Sequence, residues 1–213
     1  MHADPSEPLY FCDAAEHFIG MRTPASAEQP RRSAPDAARR SAPDQVLAGT
    51  PGTPGIINAS CRKARFHGPR ALALDGPRRL LFVADTGNQA VRQLDLGVLI
   101  VNTLIDHHDA RAAAGVLEFT PGGLALDASG LLAIADIKNH IVWAYDLHRH
   151  HLRLLAGTPG LHGLTDGDGE QARFWLPTQI SLADDASGFI VAEAGNRQRR
   201  HITREGRVRT LQR

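Results

Sequence analysis

The side chains of this sequence best suited to chemistry are its histidines, gathered as Asp106-His107-His108-Asp109 and again as His148, His150 and His151. Imidazole and carboxylate groups hold zinc when three or four of them converge within about 2 Å of one point. The strand assignments given below put the first group in a loop between repeats and the second in a turn at the opposite end of a sheet. The two groups are therefore expected to face opposite ways, and each alone is an exposed turn without fixed geometry. No metal and no other cofactor is assigned. The acidic loop from Asp166 to Glu170 is rejected as a calcium loop, because its sixth position is Gln171 where a glycine is needed and its twelfth is Pro177 where a glutamate is needed.

No nucleophile stands beside a base in a known arrangement. The chain has no Gly-x-Ser-x-Gly elbow, phosphate loop, HExxH helix or Cys-x-x-Cys pair, so no catalytic residue is assigned. Two other polar sets stand out. Asp85 with Asn88, Asp136 with Asn139 and Glu193 with Asn196 recur at one place in a repeat. Asn and Asp tolerate left-handed backbone and bond to their own turns, which gives them a structural role. On the functional reading the same residues, with Arg65 and Arg173, surround a binding face. The second set is Arg197, Arg199, Arg200 and Arg204, continued by Arg207, Arg209 and Arg213. These arginines would meet RNA phosphate or an acidic partner, or form an ordinary solvated face; no aromatic residues interleave with them for base stacking.

The elements that must position these residues come from internal repetition, the first thing to test in any sequence. Residues 69–96 read PRALALDGPRRLLFVADTGNQAVRQLDL, and the pattern returns as PGGLALDASGLLAIADIKNHIVWAYDL from Pro121 and as PTQISLADDASGFIVAEAGNRQRRHIT from Pro177. LAGTPG at Leu47 and Leu155, ARF at Ala64 and Ala172, and the prolines and asparagines of the first and third copies all differ by 108. The middle copy lacks LAGTPG and ARF and carries DHHDARAAAGVLEF in their place. Each copy reads as four short strands. The first lies at 71–75, 123–127 and 179–184; the second at 80–84, 131–135 and 189–192, in nearly unbroken apolar runs. A turn and an alternating strand such as 141–147 follow, and a fourth strand lies at 101–105, 152–156 and 208–211. Four antiparallel strands per repeat of about fifty residues make a propeller blade.

The chain resembles the NHL-repeat family of β-propellers. The resemblance rests on Pro-x-x-Leu-Ala-Leu-Asp, on VADTGN from Val83 to Asn88, on the following Arg-containing strand, and on the LAGTPG…DG…ARF linker from Leu155 to Phe174. It covers roughly residues 45–213 and implies a binding scaffold, most often of six blades, that holds proteins and in some members RNA. Some similar propellers are metal-dependent lyases or hydrolases whose ligands come one per blade, but the matching positions here are not His or Glu repeated across blades.

The predicted fold class is thus all-β: three recognisable NHL-like blades at about 69–106, 121–156 and 177–213, behind a leader. Residues 1–44 are rich in Ala, Pro, Arg and Ser and include RRSAPD twice, so this leader is expected to be disordered, with a transient helix over Tyr10 to Met21. The strand near Val46 would close a blade whose first three strands are missing. Three blades cannot close a ring, so a homodimer completing six blades is one alternative. Net charge of +1 argues against general nucleic-acid or membrane-surface binding. Cys12 and Cys61 make no disulfide framework, and without an export signal or apolar span the default compartment is the cytoplasm. The expected function is non-catalytic binding of a protein or peptide through the loop-bearing face, formed by the blade-to-blade loops and the turns between second and third strands. Its contacts would be Arg65, Asp85, Asn88, Asp136, Asn139, Arg173, Glu193 and Asn196.

Overall fold

The alternating runs 90–95 and 141–146 each end in an aspartate whose side chain caps the next turn. Asp95 Oδ1 accepts the amides of Gly97 and Val98, and Asp146 Oδ1 accepts those of His148 and Arg149. Left-handed residues at Leu99 and His150 reverse the chain in these turns, and Gln89, His140 and Arg197 do so in the turns before. Strands consequently begin about every ten residues and pair antiparallel with their neighbours.

The computed structural model describes residues 7–23 and 45–212, which form four sheets packed side by side as blades of an arc. Blade I is β1 (Leu9–Asp13), β2 (Phe18–Arg22) and β3 (Gln45–Gly49). Blade II comprises β4 (Ala59–Ser60), β5 (Pro69–Asp75), β6 (Leu80–Asp85), β7 (Ala90–Asp95) and β8 (Ile100–Ile105), with β4 added outside β8. The helix α1 (His107–Ala114) leads to blade III, made of β9 (Pro121–Leu126), β10 (Leu131–Asp136), β11 (Ile141–Asp146) and β12 (His151–Ala156). Blade IV is β13 (Gly167–Asp168), β14 (Pro177–Leu182), β15 (Gly188–Glu193), β16 (Gln198–Thr203) and β17 (Arg207–Thr210), with β13 outside β17.

Alternation sends one set of side chains from each sheet toward the preceding blade and the other toward the next. Ile19, Phe66, Val83 and Val101 fill the seam between blades I and II. Phe82, Val91, Ile134 and Trp143 fill the seam between II and III, and Val142, Phe174, Ile180 and Val191 that between III and IV. All are buried, as close-packed interiors require.

The structure corrects the reading of residues 1–44 at 9–22. These residues form β1 and β2, and β3 pairs with β2, so a further blade precedes the three recognised from the repeats. The helix expected over Tyr10 to Met21 is likewise replaced by this hairpin. Tyr10, Cys12 and Ile19 face blade II, which gives them apolar burial that an isolated helix lacks. Both RRSAPD segments and Arg213 lie outside the described residues.

Candidate functional site

Blade-to-blade linkers and the turns between second and third strands meet on one face, and a repeated polar clasp joins them. In blade II, Asp85 accepts hydrogen bonds from the His67 amide (2.7 Å), Asn88 Nδ2 (2.7 Å) and Arg92 (2.9 Å). Asn88 also donates to the carbonyl of Gly55. Arg92 extends the net into the linker, donating to the carbonyls of Arg65 and Ile57 and to Asn58 Oδ1, while its guanidinium lies 5.4 Å from the Phe66 ring centroid. Burial pushes the Asp85 carboxyl above its usual range, and the bonds from Asn88, the His67 amide and Arg92 work against that.

Blade IV repeats the clasp with Glu193, Asn196, Arg200 and Phe174. Arg200 donates to Glu193, Asp166 and the carbonyls of Arg173 and Thr165, and sits 5.3 Å from the Phe174 centroid. Blade III keeps Asp136, Asn139 and Phe119 but has Trp143 in place of the arginine. The Trp143 indole N–H donates to Asp136 Oδ2 at 3.1 Å and its ring meets Phe119 edge-on. With no cation bonded to it among the described residues, Asp136 is pushed up by burial, opposed by bonds from Asn139 and Trp143. Blade I has Gly20 at the matching place, and the Phe11 ring occupies the space a side chain would take, 2.1 Å from an added Cβ.

The sequence-predicted residues are therefore brought to one face, as fasteners more than as contacts. Asp85, Asp136 and Glu193 are buried, and Asn88, Asn139 and Asn196 hold the linker carbonyls of Gly55, Glu118 and Gly163. Arg65 and Arg173 are half-buried and donate to linker carbonyls, of Lys63 and Ala64 and of Glu170 and Ala172 respectively. The RNA assignment is corrected at Arg200, which is 0% exposed and held inside the clasp. Arg204 is paired with Asp127, leaving Arg197 and Arg199 exposed. Sequence reasoning missed Arg92 and the three phenylalanines. The signal was present as Asn-x-x-x-Arg at Asn88 and Asn196 and as a Phe closing each linker.

The expectation that the two histidine groups face apart fails at Asp109. The helix α1 carries Asp109 along β12, into one cleft with His150 and His151. On the loop-bearing face other histidines pair instead. His17 and His67 stand edge to face at 5.4 Å across the seam of blades I and II, and His140 and His162 at 5.5 Å across that of III and IV. His17 Nδ1 accepts the Gly68 amide and His140 Nδ1 that of Leu176. His162 in turn stacks on Trp175 at 5.2 Å.

Burial, then the neighbouring His162, holds the His140 imidazole below its ordinary value of 6.5. Burial, then Arg209, does the same for His201. Through these two imidazoles the folded chain takes up fewer protons than the unfolded one just below pH 6.5, so their contribution to stability is whole above that pH and falls as acid titrates the unfolded imidazoles. Urea midpoints are expected to drop between pH 8 and pH 5, and to drop less in His140→Gln; equal drops would remove His140 from the account.

Comparison with known proteins agrees with this architecture. No protein-family model matches the chain. It is 27% identical over 157 residues to protein SUPPRESSOR OF QUENCHING 1, chloroplastic, of Arabidopsis thaliana, covering 70% of this chain. It is 30% identical over 108 residues, 47% of the chain, to NHL repeat-containing protein 2 of Gallus gallus. The chain spans 15% of the length of each of these curated relatives. In three dimensions it superposes on a chain from a nidogen/laminin complex with a TM-score of 0.65 at 16% identity, over 98% of this chain and 61% of that one. The chain forms NHL-like propeller blades. A second superposition, on an auxiliary nutrient binding protein from Bacteroides thetaiotaomicron, has a TM-score of 0.62 at 14% identity, over 93% of this chain and 42% of that one. These NHL-like blades are all-β, and among their described residues no helix is long and apolar enough to cross a membrane.

Proposed function

We propose that this propeller arc is a non-catalytic scaffold that binds a protein or peptide through its loop-bearing face. The observation that carries this reading is the placement of exposed apolar side chains. Ile56 and Ile57 lie in the first linker, Leu117 (74% exposed) in the second, and Leu161, Leu164 and Trp175 (41% exposed) in the third. Linkers elsewhere in folds are polar, and scattered exposed apolar residues need no explanation, but their recurrence on one face marks an interaction surface. The polar clasps underneath hold these linkers in fixed geometry, so a partner meets a surface already ordered. Trp175 is the strongest anchor, since tryptophan is enriched among residues that dominate binding energy. Of the structural neighbours, one comes from a complex of two proteins and another is described as a nutrient binding protein, which supports a binding use of this architecture.

The test is selection from a displayed peptide library on the immobilised chain, followed by affinity measurement on the enriched peptides. Trp175→Ala is expected to weaken them by about 2 kcal/mol, roughly thirtyfold, whereas Val98→Ser, in a turn at the opposite end of blade II, leaves them unchanged. Peptides that ignore Trp175→Ala and are lost with Val98→Ser would place binding elsewhere.

A further inference from the structure

Blade III departs from its neighbours along one edge. In blades II and IV the preceding linker adds a short strand, β4 or β13, outside the outermost strand. In blade III the linker is helical and α1 packs against β12 instead. The cleft between them has a volume of about 330 Å³. Tyr145, His150 and His151 line it at positions where blade II has Leu94, Leu99 and Ile100, and α1 contributes Asp109. Four departures from the repeat thus converge on one place.

The chemistry of the cleft is that of a cation site with an apolar throat. Asp109 Oδ2 accepts the Asp106 amide at 2.9 Å as part of the helix cap, and among the described residues no side-chain cation pairs with this carboxylate. The Tyr145 hydroxyl, itself nearly buried, lies 3.4 Å from His150 Nδ1. Burial, then the Asp109 charge, pushes the phenol up, so it stays neutral and adds no second negative charge. Leu104 and Leu152 line the cleft between the polar groups. Among the described residues no three His, Cys, Asp or Glu side chains are placed to hold a metal ion, which favours an organic cation.

We propose that the cleft between α1 and β12 binds a primary ammonium group on an aliphatic stem. The carboxylate of Asp109 supplies the countercharge, the phenol and imidazole atoms accept the remaining ammonium protons, and the leucines cover the stem. The volume suits a short amine. Such a group comes either as a free alkylamine or as the lysine side chain of a partner.

The experiment is an NMR titration of the whole chain that follows the Tyr145, His150 and His151 ring signals. n-Butylammonium is expected to shift them saturably, and n-butanol at equal concentration to leave them in place. Asp109→Asn keeps an oxygen for the Asp106 amide and is expected to weaken n-butylammonium at least about tenfold, the loss of one charge-assisted contact. Ala112→Leu, on the exposed side of α1, is expected to fill the cleft and abolish the shifts, which keeps the test open should Asp109→Asn fold poorly. Equal shifts with n-butanol, or full-strength binding in either variant, would overturn the proposal. N-acetyl-lysine methylamide distinguishes the sources: binding tighter than n-butylammonium supports a lysine of a partner chain, and weaker binding supports a free alkylamine.

Discussion

Arg92→Ala is expected to lower the free energy of unfolding by about 3–5 kcal/mol, because it strands a buried carboxylate. Asp85 and Arg92 are both 0% exposed, and the guanidinium is the only cation bonded to that carboxylate in its clasp. The same substitution removes the Arg92 bonds to Asn58 Oδ1 and to the carbonyls of Ile57 and Arg65, so the first linker loses its side-chain attachment to β7. A chain with an ordinary reserve of about 5–15 kcal/mol would be left near its folding limit. Urea denaturation checks the figure. The double variant Asp85→Asn with Arg92→Met is expected to lose less than the sum of the single losses, since no charge is left unpaired. A loss for Arg92→Ala below about 1 kcal/mol would reduce the clasp to the level of a surface ion pair.

Trp143→Ala is expected to cost a similar amount, about 3–5 kcal/mol, by a different route. Trp143 is among the largest fully buried side chains and sits in the seam of blades II and III against Phe119. Its removal opens a cavity there and also takes a hydrogen bond from the already unpaired Asp136. Trp143→Arg, which recreates the residue type of blades II and IV, is not expected to rescue stability. The linker acceptors Asn58 and Asp166 have no counterpart before blade III, where α1 replaces that stretch. Thermal unfolding followed by circular dichroism compares the three proteins. Trp143→Arg matching the parent would show that Asp136 alone is sufficient for the guanidinium.

Much of the blade architecture was legible because each copy restates the strand and turn chemistry locally. The runs at 80–84 and 131–135 fall within β6 and β10, and the alternating 141–147 run contains β11. Blade I was not legible. Its hairpin has Gly20 where the copies have Arg or Trp, and Glu16 stands three residues after Asp13 where they have Asn. Its third strand also lies 22 residues beyond the second, so no local pattern joins β2 to β3. The spacing of Phe11, Ala15, Phe18 and Ile19 fits a helical period, but Ile19 is buried only through contact with blade II. At the candidate site, the acid and asparagine pairs could be found by repetition. Their burial could not, because it depends on an arginine or tryptophan seven residues further on and a phenylalanine from the preceding linker. The cleft of Asp109 was hidden for a similar reason: the assignment of opposite faces treated 106–119 as a loop and did not foresee a helix running down the outer strand.

The alternation of seams gives the arc an uneven response to temperature. The first and third linkers are closed by ionic clasps, while the middle seam relies on Trp143, Phe82, Ile134 and their apolar neighbours. Apolar association weakens on cooling, whereas the dehydration cost of charged pairs eases on warming. Every seam therefore shares an apolar core that chilling weakens, and heat leaves the two ionic clasps as the longer-lasting joints.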